Sequence, residues 1–233
     1  MALASEPDDC GLYIEFGPTA GVVSVMLNKP ERRNALDTKL INRLVFVFDM
    51  LAQDASVRVV VLSGTGTTFC AGADLTEFRD MPAYKADSLT EDRIQRLIGL
   101  MGTAERFPKP LIAAIEGAAV GAGARLAMAA DMVCMGETAS LSFPELAIGR
   151  LPSLMAAPLV HTVGYQQAFA LLIGGQIVDS KTALALGLAQ RIATPGTALP
   201  QAMELARTIA TLDPTLVRST KSLLRNARCG LPS

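Results

Sequence analysis

A chain of 233 residues with net charge −1 and one histidine is long enough for one well-packed domain and carries no long-range field to gather nucleic acid. Half of its residues are hydrophobic and 18% are charged, which excludes a disordered chain. No uncharged apolar run of about 18 residues is present to cross a membrane.

The cysteines Cys10, Cys70, Cys134 and Cys229 show no CxxC spacing and no histidine cluster. They read as thiols of a reducing compartment, with no metal site, and Cys134 reads as a small buried hydrophobe. The opening segment MALASEPDDC is acidic and lacks an apolar run, so it resembles neither a secretory signal nor a basic transit peptide, and a cytoplasmic location is expected.

In chain order, Leu12 to Phe16 and Val22 to Leu27 read as strands joined through Gly17, Pro18 and Gly21. Asn28 to Asn34 is a charged loop. Asp37 is placed to cap a helix whose apolar face is Leu40, Leu44, Phe48 and Leu51. Val57 to Leu62 is a β-branched run suited to an interior strand. Thr90 is expected to cap a helix reaching Phe107, which Pro108 and Pro110 stop. Leu111 to Ile115 reads as a buried strand, followed by a tight passage at Gly117 and a small-residue helix starting near Gly121. A strand pair is expected at Met132 to Met135 and Ala139 to Phe143, then helices within Met155 to Val163 and Tyr165 to Leu172. Asp179 caps a short helix that Gly187 ends, Leu188 to Ile192 forms a last strand, and helices span Leu199 to Leu212 and Pro214 to Asn226 with Asp213 as cap. This recurring order predicts an α/β fold, with the last helices standing spatially apart from the sheet.

Two stretches carry the chemistry. In KPLIAAIEGAAVGAGARLAMAAD, Lys109 to Asp131, the residues Gly121, Ala122 and Gly123 let another group approach the backbone closely, and a helix beginning there aims unpaired N–H groups at one point. The second stretch is Phe69-Cys70-Ala71-Gly72-Ala73-Asp74-Leu75, whose glycine between alanines is equally a way of relieving crowding after a strand.

Together with Leu27-Asn28-Lys29-Pro30, Asn34-Ala35-Leu36-Asp37, Pro144-Glu145 and the Gly149 to Pro152 turn, these stretches resemble the crotonase superfamily, the enoyl-CoA hydratases and isomerases. The resemblance implies the ClpP/crotonase-like α/β fold, with repeated ββα units forming a sheet core over 1–195 and a shortened C-terminal helical region over 196–233. It places the backbone N–H groups of Ala73 and Ala122 as an oxyanion hole for an acyl thioester. Arg32, Arg33, Ala71, Gly72, Asp74, Leu75 and Gly121 would then line the coenzyme A or substrate groove. For Asp74, local hydrogen bonds that fix its turn are the simpler role. Of the two glutamates of the hydratases, one matches Glu145, whose carboxyl should rise in pKa in a partly dry pocket. The other falls at Arg125, leaving two readings: Arg125 turns away to pair with a carboxylate, or it faces the pocket and binds an acidic acyl group. His161 reads as a packing or capping residue.

A single carboxylate suits double-bond isomerisation by a proton shuttle. Hydration, a decarboxylation on an acyl-carrier-protein thioester, and a non-catalytic assembly subunit are the alternatives. The resemblance further implies a homotrimer or hexamer, an acyl-CoA or acyl-carrier-protein partner, no permanently bound cofactor, and coenzyme A present only as part of the substrate. Many relatives continue past the last helix, which leaves three readings here: a neighbouring subunit supplies the missing wall of the acyl pocket, the substrate is carried on an acyl carrier protein, or the chain is a weakened or inactive member.

Overall fold

The computed structural model describes residues 9–17, 19–78 and 83–228. Strands β1 (Leu12–Phe16) and β2 (Val22–Leu27) form an antiparallel hairpin. Helix α1 (Thr38–Gln53) starts at Asp37, whose carboxylate accepts the Leu40 N–H at 2.8 Å, and its expected apolar face is fully buried. The other end of α1 is closed from a distance. The buried Lys109 Nζ donates to the carbonyls of Leu51 and Asp54 at 2.6 and 2.5 Å, satisfying acceptors that a helix end leaves open.

Strand β3 (Val59–Gly64) begins slightly later than its apolar run, and β4 (Thr68–Cys70) follows at once. Helix α2 (Ala83–Arg106) already begins at Ala83, so Thr90 lies inside it and is not its cap. Next come β5 (Leu111–Ile115), β6 (Ala118–Val120), α3 (Ala122–Met128), β7 (Met132–Gly136) and β8 (Ser140–Ser142). The remainder is α4 (Ser153–Val163), α5 (Tyr165–Gly174), β9 (Val178–Asp179), α6 (Ser180–Ala185), β10 (Arg191–Ala193), α7 (Ala198–Ala210) and α8 (Pro214–Arg228).

The strands divide between two sheets, ordered β1-β2-β3-β5-β7-β10 and β4-β6-β8-β9. In each repeating unit the first strand enters the large sheet and the second enters the small one, as β3/β4, β5/β6 and β7/β8 do. The expected pairing of β7 with β8 is therefore corrected: β7 lies parallel to β5, and β8 lies parallel to β6. The crossover at Gly117 explains why β6 escapes a pattern reading. A methyl group at Gly117 would sit 1.9 Å from the Thr67 carbonyl oxygen, and its φ is +63°. Glycine there lets β5 turn sharply into the second sheet.

The expectation that the last helices stand apart is also corrected. In α7 the residues Ala198, Ala202, Ala206 and Ala210 share one face, are buried, and pack with Val22, Val59, Val61 and Ile112 on the outer face of the large sheet. A stripe of methyl groups lets the helix lie close to β-branched strands. Glu116, at the end of β5, accepts the Ala198 N–H at 2.8 Å and caps that helix. Helix α8 is tied down by Lys221, whose Nζ donates to the Lys109 carbonyl at 2.7 Å and to Asp131 at 2.5 Å. Arg225 adds a bond to the Phe107 carbonyl. Among the described residues no helix is long and apolar enough to cross a membrane.

Candidate active site

Strands β4, β6 and β8 run parallel, so their C-terminal ends open on one side of the small sheet, where open α/β sheets place ligands. Out of these ends come Ala71-Gly72-Ala73, Gly121-Ala122 and Pro144-Glu145. The topology thus gathers three segments that are far apart in sequence.

The two amides are oriented by their own peptide planes. Leu36 and Ala73 form a parallel bridge in which the Leu36 N–H donates to the Gly72 carbonyl at 2.8 Å and the Asp74 N–H donates to the Leu36 carbonyl at 3.0 Å. A trans peptide points its C=O and N–H in opposite directions, so anchoring the Gly72 carbonyl turns the Ala73 N–H away from Leu36. Ala122 is the first residue of α3, and the Gly121 carbonyl in the same peptide unit accepts the Arg125 N–H at 2.9 Å. The Ala122 N–H therefore points out of the helix start. Among the described residues neither amide has a hydrogen-bond partner.

Gly72 brings the two segments together. It has φ +90°, and a methyl group on it would lie 2.6 Å from the Val120 carbonyl oxygen and 3.5 Å from the Ala122 nitrogen. Gly123 sets α3 against β4, since a methyl there would meet the Cys70 carbonyl oxygen at 2.4 Å. The Cys70 thiol is fully buried, which pushes its pKa up to about 12, and it accepts the Gly72 N–H at 3.4 Å. It is a packing residue of the site, not a nucleophile.

Glu145 heads a short 3-10 turn, Leu146–Ile148, and its carbonyl accepts the N–H groups of Ile148 and Arg150 at 3.2 and 2.8 Å. Gly149, with φ +72°, closes the turn. The Glu145 Oε1 lies 3.0 Å from the point a Gly121 Cβ would occupy, and Oε2 is buried with no hydrogen-bond partner among the described residues. Burial raises the carboxyl above its ordinary value, opposed only by its own backbone amide. A desolvated carboxylate beside two unpaired donors can take a proton from a carbon acid whose negative charge the donors accept.

The remaining predicted residues sort differently. Asp74 is held by its turn: Oδ1 accepts from the Thr76 N–H and hydroxyl at 2.9 and 2.7 Å, while Arg32 stands 3.2 Å from Oδ2. Burial alone would raise the Asp74 carboxyl, but Thr76, Arg32 and Arg93 together lower it. Arg32 also donates to the Thr76 hydroxyl and stays about half exposed. Arg33 is exposed, with φ +52°, and its carbonyl accepts the Ala71 N–H. Leu75 is exposed at the start of the turn Leu75–Phe78.

For Arg125 the pocket-facing reading is corrected. Its Nε donates to the Leu154 carbonyl at 2.9 Å and its Nη2 pairs with Glu105 at 2.5 Å, joining α3 to α4 and α2. No cation contributes to the shift at Glu145, as one would if this guanidinium stood beside it. His161 is exposed near the end of α4.

Three residues of the site's support escaped the sequence. Asn34, with φ +54° and no exposure, donates through Nδ2 to the Thr65 and Thr68 carbonyls and accepts the Lys29 N–H. It stood in the sequence only as part of the Asn34-Ala35-Leu36-Asp37 match, and the tolerance of Asn for left-handed backbone was the one physical hint of this bridging role. Arg93 and Glu105 lie on the polar helix α2, where charge patterning cannot distinguish a buried anchor from a solvated side chain. Among the described residues no group of three or more His, Cys, Asp or Glu side chains could hold a metal ion.

Split ββα units whose second strands carry two glycine-rich loops and a glutamate define a crotonase-fold protein. The family model for enoyl-CoA hydratase/isomerase matches residues 17–229. The chain is 42% identical over 206 residues to a provisional enoyl-CoA hydratase of Thermus thermophilus, covering 87% of this chain and 80% of that one. It is 33% identical to the 2,3-dehydroadipyl-CoA hydratase of Escherichia coli, covering 89% and 79%. A provisional enoyl-CoA hydratase of Thermobifida fusca, solved in complex with acetoacetyl-CoA, superposes with a TM-score of 0.82 at 28% identity, covering 94% of this chain and 87% of that one. The chain belongs to the enoyl-CoA hydratase/isomerase family, and it is an enzyme of that kind.

Proposed function

We propose that the protein acts on enoyl-CoA thioesters by forming an enolate, with Ala73 and Ala122 N–H as the oxyanion hole and Glu145 as the acid and base. The observation that carries this reading is the buried, unpartnered Oε2 of Glu145 at the Gly121 turn. In the favoured reaction the Glu145 carboxylate takes a proton from the α carbon of a 3-enoyl thioester. The C–H electron pair then conjugates with the carbonyl, and charge settles on the oxygen between the amides. The same carboxyl returns its proton to the γ carbon, the double bond moves to the 2,3 position, and Glu145 ends as it began. Each amide of such a hole is worth about 3 kcal/mol in the transition state.

Hydration of a 2-enoyl thioester is the second reading, and the hydratase names of the relatives favour it. The same hole serves it, with Glu145 taking a proton from the water whose oxygen adds at the β carbon and then giving that proton to the α carbon of the enolate. Arg32, Arg33, Ala71, Gly72, Asp74, Leu75 and Gly121 line the groove in either reading, coenzyme A arrives as part of the substrate, and no cofactor is retained between turnovers. A homotrimer or hexamer is supported by apolar side chains left open around α4 and α5: Leu151, Tyr165, Phe169, Ile173 and Ile177, with Leu151 84% exposed.

The test offers purified protein 3-enoyl-CoA and 2-enoyl-CoA in deuterated water. Migration of the double bond is expected, with deuterium entering the product only to the extent that the Glu145 carboxyl exchanges with solvent before it returns its proton. A 3-hydroxyacyl product without migration would replace isomerisation by hydration, and binding without turnover of either thioester would overturn both.

A further inference from the structure

One amide of the proposed hole hangs on a single carbonyl. The backbone of Leu36 grips the Gly72-Ala73-Asp74 segment from one side through the two peptide units it joins, its N–H on the Gly72 oxygen and its C=O accepting the Asp74 N–H. Leu36 itself is fully buried, and its carbonyl carries a second donor, the Arg93 Nη2 at 2.7 Å. The same guanidinium reaches Glu77 through Nη1 at 2.6 Å. Glu77 in turn accepts the Thr38 N–H and hydroxyl, each at 3.1 Å, at the first residue of α1. Arg93 is buried on α2, so this one side chain fixes both ends of the stretch from Leu36 to the start of α1.

We infer that Arg93 is a positioning residue for the Ala73 amide: by holding the Leu36 carbonyl it fixes the residue whose own N–H anchors the Gly72 carbonyl, and so the peptide plane that aims Ala73 N–H at the acyl oxygen. The inference rests on the oxyanion-hole reading above. Its physical basis is the difference between a neutral and a charged donor. A carbonyl bonded by a buried guanidinium is held more stiffly than one bonded only by an amide, and the Gly72 conformation, at φ +90°, leaves the segment little intrinsic stiffness of its own. A small rotation of that peptide would lengthen the contact to the developing oxyanion without touching coenzyme A. Losses of about 10- to 100-fold in kcat follow from misplacements of this size.

Arg93→Met removes the bonds to Leu36 and Glu77, Arg93→Lys retains a charge but cannot span Leu36 and Glu77 together, and Arg96→Met, on the same helix and bonded at the surface to Asp92 and Asn42 among the described residues, is the control. The readout is the carbonyl stretch of a bound non-hydrolysable thioester analogue labelled with carbon-13 at C1, with its Kd, kcat and the unfolding midpoint measured alongside. Wild-type protein and Arg96→Met are expected to shift the stretch strongly to lower frequency. Arg93→Met is expected to lose much of that shift and about 10-fold or more in kcat while Kd changes less than about threefold, and Arg93→Lys is expected to fall between. A folded Arg93→Met with the wild-type shift and kcat would overturn the inference. If Arg93→Met does not fold, a wild-type shift and kcat in Arg93→Lys would overturn it. Absence of any shift in the wild type would instead remove the oxyanion-hole reading on which it stands.

Discussion

Glu145 occupies a place where ionisation is costly, and two consequences follow from the direction of its shift. Its folded pKa lies above the ordinary glutamate value of about 4.3. The folded state therefore holds more proton than the unfolded chain in the window between the two values. The stabilising influence of the protonated form is complete below the ordinary value and is lost as pH rises through the raised one. Glu145→Gln should accordingly be more stable than the wild type at neutral pH, with the difference vanishing on acidification below about pH 4; thermal unfolding across pH checks this, and parallel curves would contradict it. The proposed base can take a proton only when ionised, so on that reading the acid limb of kcat/KM should fall above the usual carboxylate range. Glu145→Gln should lower turnover by about 10²–10⁴-fold and leave thioester binding in place. The Ala122 donor is testable with little disturbance of the fold, because the first position of a helix tolerates proline. Ala122→Pro replaces that N–H by a ring methylene pointing the same way, so it removes the donor and crowds the acyl oxygen, and it should cost at least about 10²–10³ in kcat at nearly unchanged melting temperature.

At the scale of elements, the site depends on α3 lying against β4, and α8 is tied to the segments that flank β5 and α3. A methyl at Gly123 meets backbone, not a flexible side-chain end. Gly123→Ala should therefore cost about 1–3 kcal/mol of stability and lower kcat with it, since α3 carries Ala122. Lys221 links α8 to Asp131 and the Lys109 carbonyl, and burial brings its ammonium down to about 8. Lys221→Ala leaves the buried Lys109 carbonyl without that donor and should lower stability by about 1.5–3 kcal/mol, read as a lower urea midpoint at unchanged slope.

Most of these elements were legible in the sequence, for identifiable reasons. Asp37, Asp179 and Asp213 each accept amides from the helix they precede, and the β2 and β3 runs are β-branched. What escaped was set by distant contacts. Strand β6 exists because Gly117 passes over Thr67, and the division of β7 from β8 follows from which parallel neighbour each meets. The two glycine-rich loops and Glu145 were legible through their motifs. For Arg125 the reading that it turns away to pair with a carboxylate holds, but the partner was not legible, because Glu105 lies 20 positions away on another helix, a separation that no local pattern encodes.

Taken as a whole, the molecule is a two-sheet scaffold that covers one face of its large sheet with an alanine-lined helix and leaves apolar side chains open around α4 and α5. Light scattering on the purified protein should give three or six times the 24.5 kDa chain mass; a stable monomer would remove the assembly. The architecture also states its own central requirement, that three strand ends deliver two amides and one carboxylate to a single acyl group. A crystal structure with a non-reactive enoyl-CoA analogue tests this most directly. The thioester oxygen should lie about 2.7–3.1 Å from both Ala73 N and Ala122 N, with the Glu145 carboxylate beside the α carbon. A thioester oxygen bonded elsewhere, or Glu145 turned to bulk solvent with the ligand in place, would contradict it.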